Sequence, residues 1–273
     1  MLRLFGPFLC LFMAAFALPA MPALAAGDLL VAPTRLILDG SRGAEVVLNN
    51  IGSEPATYRI SLEVKRMAAD GGLDEIAEAE ATPAEKAALA MIAFSPRRVV
   101  LPPNQPQVIR VGVRVPEGTP PGEYRAHMLF RAVPESVAAT APKAAGEGVS
   151  IAITPIYGIT IPVIVRIGDL EASATIGDAR IGETRDGPAF EFDLTRSGTR
   201  SVYGDIEVTR RGEPQPLLIA RGIAVYPEVD ARTVSLRIPP DLAAQLRGPV
   251  HIRYTEDREV GGATIDAADR VVR

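Results

Sequence analysis

The chain has 273 residues, of which 47% are hydrophobic, and 33 acidic against 29 basic side chains give it a net charge of −4. So mild and mixed a charge excludes the strongly basic surface of a nucleic-acid or lipid-surface binder. The single cysteine, Cys10, excludes an intrachain disulfide. The fold must therefore be held by burial of apolar side chains, for which this length suffices in one or two domains.

The first 25 residues have the pattern of a secretory signal peptide. Arg3 precedes a long apolar run, and small residues at Ala23 and Ala25 occupy the positions that signal peptidase reads. We expect cleavage before Ala26 or one residue later, and an exported protein without stable membrane insertion.

Strict alternation of apolar and polar residues follows along most of the chain. It is clearest in "YRISLEVK" (58–65), "VIRVGVRV" (108–115) and "YRAHMLFRA" (124–132), and it resumes in "FEFDL" (190–194) and "VHIRYTE" (250–256). Period-two alternation is typical of antiparallel strands with one buried face. Many such strands in two blocks predict an all-β protein of two β-sandwich domains, at 26–166 and 167–265, with a flexible tail at 266–273.

One helix and one loop interrupt the strands of the first block. "TPAEKAALAMI" (82–92) begins with Thr82 as N-cap, Pro83 at the first helical position and Glu85 three residues after the cap. This capping box predicts a short helix near 83–91. The Ala-, Pro- and Gly-rich residues 135–148 predict a mobile loop.

An uncharged ribbon, "VSIAITPIYGITIPVIV" (149–165), comes next. It is shorter than the ~20 residues that span a bilayer, and Pro155 and Pro162 would interrupt a helix. We therefore interpret it as a strand, on which Val149, Ile151 and Ile153 point one way. Because Pro155 cannot donate to a ladder, the strand lies at an edge or leaves its sheet there.

Two interpretations of the ribbon remain open from the residues. The three side chains are ordinary inward-facing core, or they form an edge that receives a strand from a partner. In the second case, the ribbon beyond Pro155 is expected to enter the cleft between the domains and the second sandwich.

Three segments, in this order after a signal peptide, carry a family resemblance. "LLVAPTRLILDG" (29–40), "FSPRRVVLPPNQPQVIRVGV" (94–113) and "TPPGEYRAHMLFRAVP" (119–134) resemble the PapD-like periplasmic chaperones of the chaperone–usher pilus pathway. The resemblance implies two immunoglobulin-like sandwiches in a boomerang arrangement, without a cofactor, in the periplasm of a Gram-negative bacterium. It also implies two partners, pilin-like subunits and an outer-membrane usher.

The resemblance further implies a binding site. A chaperone of this family lends an edge strand to a subunit that lacks its last strand, and Val149, Ile151 and Ile153 fall at the positions that fill the subunit's groove. Arg35 matches the first-strand arginine that anchors the subunit's C-terminal carboxylate. The lysine that joins this anchor in the family falls at Gly158, which departs from the pattern.

Enzyme chemistry finds no support in the residues. His127 and His251 lie on outward phases of their strands and have no metal-ligating partner at a useful spacing, and no nucleophile or phosphate-loop motif occurs. We therefore expect no enzyme activity, catalytic residue, metal or cofactor. The alternative to a chaperone is an exported immunoglobulin-like structural or adhesive module.

Overall fold

A computed structural model describes residues 29–134 and 156–273. The predicted signal peptide, the loop predicted at 135–148 and the three predicted donor residues Val149, Ile151 and Ile153 lie outside the described residues. The described ranges contain seventeen strands and two short α-helices: β1 (Leu29–Ala32), β2 (Leu36–Leu38), β3 (Ala44–Asn50), β4 (Ala56–Met67), β5 (Leu73–Ile76), α1 (Pro83–Met91), β6 (Ile92–Ser95), β7 (Arg98–Leu101), β8 (Gln107–Val113), β9 (Gly122–Val133), β10 (Gly158–Ile167), β11 (Ala172–Thr184), β12 (Gly187–Gly198), β13 (Val202–Arg210), β14 (Pro216–Val225), β15 (Ala231–Arg237), α2 (Pro240–Leu246), β16 (Gly248–Glu256) and β17 (Thr264–Val272).

The first domain is a sandwich of two sheets. One sheet has the order β1-β3-β8-β6, and the other has the order β2-β10-β9-β4-β5, with β7 also paired to β4. The alternation predicted for β4 is observed, since Tyr58 and Ile60 are buried while Arg59 is exposed. The inward-facing rows of both sheets form one apolar core, which includes Leu48, Ile109, Met128 and Phe130.

The first two strands belong to different sheets of this sandwich. β1 pairs antiparallel with β3 in one sheet, and β2 pairs parallel with β10 in the other. The three residues between them, 33–35, carry the chain across. Arg35 therefore lies at the crossing, immediately before β2.

Helix α1 confirms the predicted capping box. The Thr82 hydroxyl accepts from the Glu85 N–H at 3.3 Å, and the Thr82 N–H donates to the Glu85 carboxylate at 2.7 Å. A second helix, α2, was not predicted. It begins at Pro240, and burial of Ala243 and Leu246 in the second domain stabilises it. Two apolar residues within seven positions are too few to show a helical periodicity in the sequence.

The second domain is a sandwich of the sheets β11-β12-β15 and β14-β13-β16-β17. Its core includes Phe190, Phe192, Ile206 and Tyr254. The two sandwiches confirm the predicted all-β fold.

The flexible tail predicted at 266–273 is wrong. These residues form most of β17, which pairs antiparallel with β16 and ends with Val272 in the core. The Arg270 Nε donates to the Gly177 carbonyl at 2.7 Å, which ties β17 to β11. Charged and small residues in this segment weaken its alternation, so the sequence pattern missed it.

The expectation for the second half of the ribbon is right for the cleft and wrong for the second sandwich. This half forms β10, whose Ile164 packs against the second domain, while Ile161, Val163 and Val165 are buried in the first core. Pro162 is tolerated because one side of β10 has no neighbouring strand at 158–162 within the described residues. β10 ends at Ile167 and β11 begins at Ala172, so the chain passes between the domains there.

The two sandwiches are in contact through a small apolar cluster. Met67 and Ile164 of the first domain pack with Ala224 and Tyr226 of the second. The turn between β4 and β5 adds a backbone bond, from the Thr233 N–H to the Ala69 carbonyl at 2.9 Å. In the described part of the chain, every helix is too short or too polar to cross a membrane.

Candidate functional site

Arg35 lies in the cleft between the two domains. Its side chain projects from the first domain onto the second, and the residue is only 9% exposed. The guanidinium carbon lies 4.2 Å from the centroid of the Tyr203 ring and 5.7 Å from that of Tyr226. The Nη2 atom donates to the Ser201 hydroxyl at 3.2 Å. Arg35, which the sequence assigned to the first strand, therefore makes these contacts with residues of the second domain.

Two nitrogens of Arg35, Nε and Nη1, are buried and have no hydrogen-bond partner among the described residues. Unpaired buried donors on a charged group are unfavourable, and in native proteins they are uncommon. Arg35 also lines a cavity of about 450 Å³ together with Ile37, Tyr203, Asp257 and Val260. The cavity wall thus carries the Arg35 guanidinium, which can bind an anion, and one carboxylate beside it.

Ser201 connects Arg35 to a second charged group. Its Oγ also lies 3.4 Å from the Arg166 Nη2 and donates to the Glu123 Oε2 at 2.9 Å. The same Glu123 oxygen accepts from the Arg166 Nε at 3.1 Å. Burial lowers the pKa of the Arg166 guanidinium, against the attraction of Glu123. Arg166 is thus ion-paired with Glu123 and is not a free cation of the cleft.

This network was not predicted from the sequence. Arg166 is the first charged residue after the ribbon, which is a weak signal, and nothing in the sequence pairs it with Glu123 or Ser201.

Arg125 is a further cation at the interface, and it is also paired. Its guanidinium carbon lies 3.6 Å from the Tyr226 ring centroid, and it forms an ion pair with Glu228. Glu228 in turn accepts from the Met67 N–H at 2.7 Å. Arg125, Glu228 and Tyr226 thus connect the two domains. Among the described residues, Arg35 is the arginine that lines the cavity.

His127 faces away from the first core, as the alternation predicted, but it is not in contact with solvent. It is 1% exposed, because the second domain covers it, and its ring stands edge-on to Tyr226 with centroids 6.5 Å apart. Burial and, to a smaller extent, the positive charges of Arg125, Lys65 and Arg35 lower the pKa of His127 to about 3. His251 does lie at the surface, with Nδ1 2.9 Å from the Asp269 carboxylate.

The described start of β10 is an open edge. Residues 158–162 pair with β9 on one side, and β2 joins the other side only from Val163 onward. Within the described residues, no strand occupies the open side. Tyr157 and Ile159 are 56% and 37% exposed there, on the same phase as the buried Ile161. An apolar edge of this kind is a surface to which an added strand can bind.

This edge leads to Arg35. Val163 of β10 lies beside Leu36 of β2, so Arg35 marks the point at which the open side closes. Gly158 begins β10 opposite Arg131, five residues before Val163. Gly158 thus lies away from Arg35 along the edge. No group of three or more potential ligands that could hold a metal occurs in the described ranges.

No protein-family model and no curated protein matches the chain. Solved structures do match. One belongs to the CsuC–CsuE chaperone–tip adhesion subunit complex from archaic chaperone–usher Csu pili of Acinetobacter baumannii, with 12% identity and a TM-score of 0.47 over 90% of this chain and 100% of that chain. Another is the E. coli chaperone DraB, with 13% identity and a TM-score of 0.46 over 90% and 97%. A third belongs to the SafA pilin–SafB chaperone complex of Salmonella enterica, with 16% identity and a TM-score of 0.42 over 90% and 96%. At such low identity and TM-score, these likenesses assign no function to this chain.

Proposed function

We propose that this protein is a periplasmic chaperone that binds pilin-like subunits by lending them an edge strand, and that it delivers them to an outer-membrane usher. The observation that carries the proposal is the open edge of β10, which ends at a buried arginine with unpaired donors. A subunit that lacks one strand would use both features at once.

The direction of the bound strand follows from β2. Because β2 runs parallel to β10, a client strand that continues its line along 158–162 in the same direction has its C-terminal end at Arg35. There the guanidinium can receive the terminal carboxylate through charge-assisted hydrogen bonds, which are stronger than neutral ones. The client's last residue is thereby positioned by an ion pair and its strand by a hydrogen-bond ladder.

The apolar side chains of the donated strand supply the rest of the affinity. Val149, Ile151 and Ile153 share the odd-numbered phase of Tyr157 and Ile159 in the sequence. Each aliphatic side chain that enters the subunit's groove contributes about 1.5–3 kcal/mol. Together with the hydrogen-bond ladder and the ion pair, these contributions offset the entropy lost in ordering the donated segment.

An exported structural or adhesive module remains the second candidate. The exposed apolar residues Ile156, Tyr157 and Ile159 at the edge would also suit adhesion. Such a module has no need for a buried cation at the end of that edge, so the site favours the chaperone.

Capture of a subunit tests the proposal. The chain is co-expressed in the periplasm with a pilin-like subunit from the same organism, and the complex is purified through a tag on the subunit. Ile159→Asp and Ile151→Asp are expected to abolish capture, because the carboxylate would be buried without a partner in the complex.

Val108→Asp is the matched control. Val108 is 42% exposed on the other sheet of the same domain, so this change adds the same charge at similar exposure. Its capture is expected to equal that of the unchanged protein. Capture that survives at both edge variants, with melting temperatures unchanged, would refute strand donation and favour the adhesive module.

A further inference from the structure

We propose that Ser201 and Tyr203 of the second domain are positioning residues for Arg35, so that recognition of the client's carboxylate requires both domains. The identity of the ligand rests on the proposed function, whereas the positioning of Arg35 is a property of the free protein. The inference assigns the second domain a direct part in binding.

Tyr203 fixes the plane of the guanidinium. An arginine side chain has many rotamers, and holding one of them has a large entropic cost. The Tyr203 ring lies 4.2 Å from the Arg35 guanidinium carbon, which is the distance of a cation–π contact. Stacking restrains the plane while leaving the N–H groups at its rim free to bind a ligand.

Ser201 fixes the rotation within that plane. Its own hydroxyl proton is directed to Glu123, at 2.9 Å, so its oxygen lone pairs are available to Arg35. Ser201 takes a single N–H of Nη2. A guanidinium has five N–H donors, so one full edge is left with two parallel donors for a carboxylate.

Charge supports the same assignment. Glu123 is the acid of this network, and it is paired with Arg166 at 3.1 Å. The Glu123–Arg166 pair is neutral as a unit, and Ser201 contacts Arg35 through a hydroxyl. Among the described residues, the hydrogen-bond partners of Arg35 include no carboxylate, and its charge faces a cavity whose wall also carries Asp257.

The first experiment measures Arg35 in the free protein. The mobility of its side chain is followed by nuclear magnetic resonance of the Nε–H group in the full mature chain. Tyr203→Leu is expected to increase this mobility, and Tyr203→Phe, which keeps the aromatic face, is expected to leave it unchanged. Equal mobility in the unchanged protein and in both Tyr203→Leu and Ser201→Ala would overturn the inference.

The second experiment measures recognition. The probe is a synthetic strand peptide of alternating Thr and Val residues with a free C-terminal carboxylate, and the same peptide with an amidated C-terminus. The unchanged protein is expected to prefer the carboxylate by about tenfold, as for a hydrogen bond to a charged group. Tyr203→Leu and Ser201→Ala are expected to lose most of that preference, while binding of the amidated peptide stays the same.

The outcomes separate this inference from the proposed function. No preference for the carboxylate in the unchanged protein, or a preference that survives in Arg35→Ala, refutes the anchor. A preference that depends on Arg35 but survives in Tyr203→Leu and Ser201→Ala refutes only the positioning role. Because Ser201 is fully buried, the melting temperature of each variant is measured, and Tyr203→Phe provides the decisive comparison if Ser201→Ala fails to fold.

Discussion

Arg35 is 9% exposed, yet two of its nitrogens have no partner among the described residues. Such a side chain lowers the stability of the free protein, because a buried charge is favourable only when its donors are satisfied. Residues of this kind are typical of sites where stability has been exchanged for binding. Replacing Arg35 by an apolar residue is therefore expected to raise the stability of the free protein and to lower subunit capture.

Arg35→Met tests that expectation. Methionine keeps the apolar stem that packs against Tyr203 and removes the unpaired donors, so the free energy of unfolding is expected to rise by about 1 kcal/mol. Subunit capture is expected to be lost. Urea unfolding and co-purification measure the two effects, and a loss of stability above about 1 kcal/mol would show that the guanidinium is structural.

His127 gives the protein a defined dependence on pH. Its pKa is about 3 in the folded chain and 6.5 in the unfolded chain, so the folded state keeps it neutral. The folded state is therefore at no disadvantage from His127 above pH 6.5. As the pH falls from 6.5 toward 3, the free energy of unfolding decreases, because the unfolded chain binds a proton at His127 and the folded chain does not. At pH 4 the loss is roughly 3 kcal/mol.

The variant His127→Phe isolates this effect. It keeps the edge-on contact with Tyr226 and cannot be protonated, so its urea midpoint is expected to fall less between pH 7 and pH 4 than that of the unchanged protein. Parallel pH profiles for the two proteins would show that His127 does not titrate as a buried group.

The burial of Arg35 and His127 could not be predicted from local sequence. Alternation correctly placed His127 on the side of β9 that faces away from the first core. What covers that side is Tyr226, about a hundred residues later in the chain, and contacts between domains leave no periodic signal. For the same reason, Arg35 could be selected by resemblance, while its partners Ser201 and Tyr203 could not.

At the scale of helices and strands, the sequence predicted the elements that have strong local patterns and missed those whose patterns are mixed. The capping box fixed α1, and clean alternation predicted β4 and β9, because each depends on neighbouring residues only. β17 carries charges at several positions and is held by pairing with β16, so its sequence resembles a frayed end. The edge strand was predicted for the residues before Pro155, and β10 was expected to leave the first domain, because its place in the first core depends on its pairing with β9.

The turn between β4 and β5 allows a test at this scale. Gly71 has φ +86°, and a Cβ there would lie 2.0 Å from the Arg232 Nη2. Gly71→Ala must displace Arg232, whose Nη1 donates to the Ala224 carbonyl at 2.5 Å. Gly118, at φ +78° with nothing within 4 Å of a Cβ, provides the control.

Both alanines incur the left-handed backbone penalty of about 1 kcal/mol. Gly71→Ala is expected to lose about 1 kcal/mol more through the disturbed Arg232 bond. The two variants are compared by urea unfolding. Equal losses would show that the turn does not pack against the second domain as described.

At the scale of the whole molecule, the second domain covers the Arg35 side chain at the end of the open edge. The apolar cluster around Tyr226 is small, and the Arg125–Glu228 pair adds a charged contact beside it. Interfaces of limited area between domains permit relative motion unless such contacts restrain it. The site therefore depends on the docking of two domains as well as on the fold of each.

Glu228→Ala is expected to weaken that docking. It leaves Arg125, whose side chain is 9% exposed, without its counter-ion, and it removes the acceptor of the Met67 N–H. We expect a loss of about 2 kcal/mol and greater interdomain motion, seen in residual dipolar couplings. Glu207→Ala breaks the exposed pair with Arg253 and is expected to change stability by less than about 1 kcal/mol. If the two losses are equal, Glu228 does not hold the domains together.

Amide hydrogen exchange tests the central claim most directly. The exchange of residues 156–162 is measured in the free protein and in its complex with a pilin-like subunit. If the open side of β10 receives a client strand, amides that face it become protected in the complex, and Arg35→Ala reduces that protection at the end nearest Val163. Unchanged exchange at 158–162, with protection gained at another edge such as β14, would contradict the account.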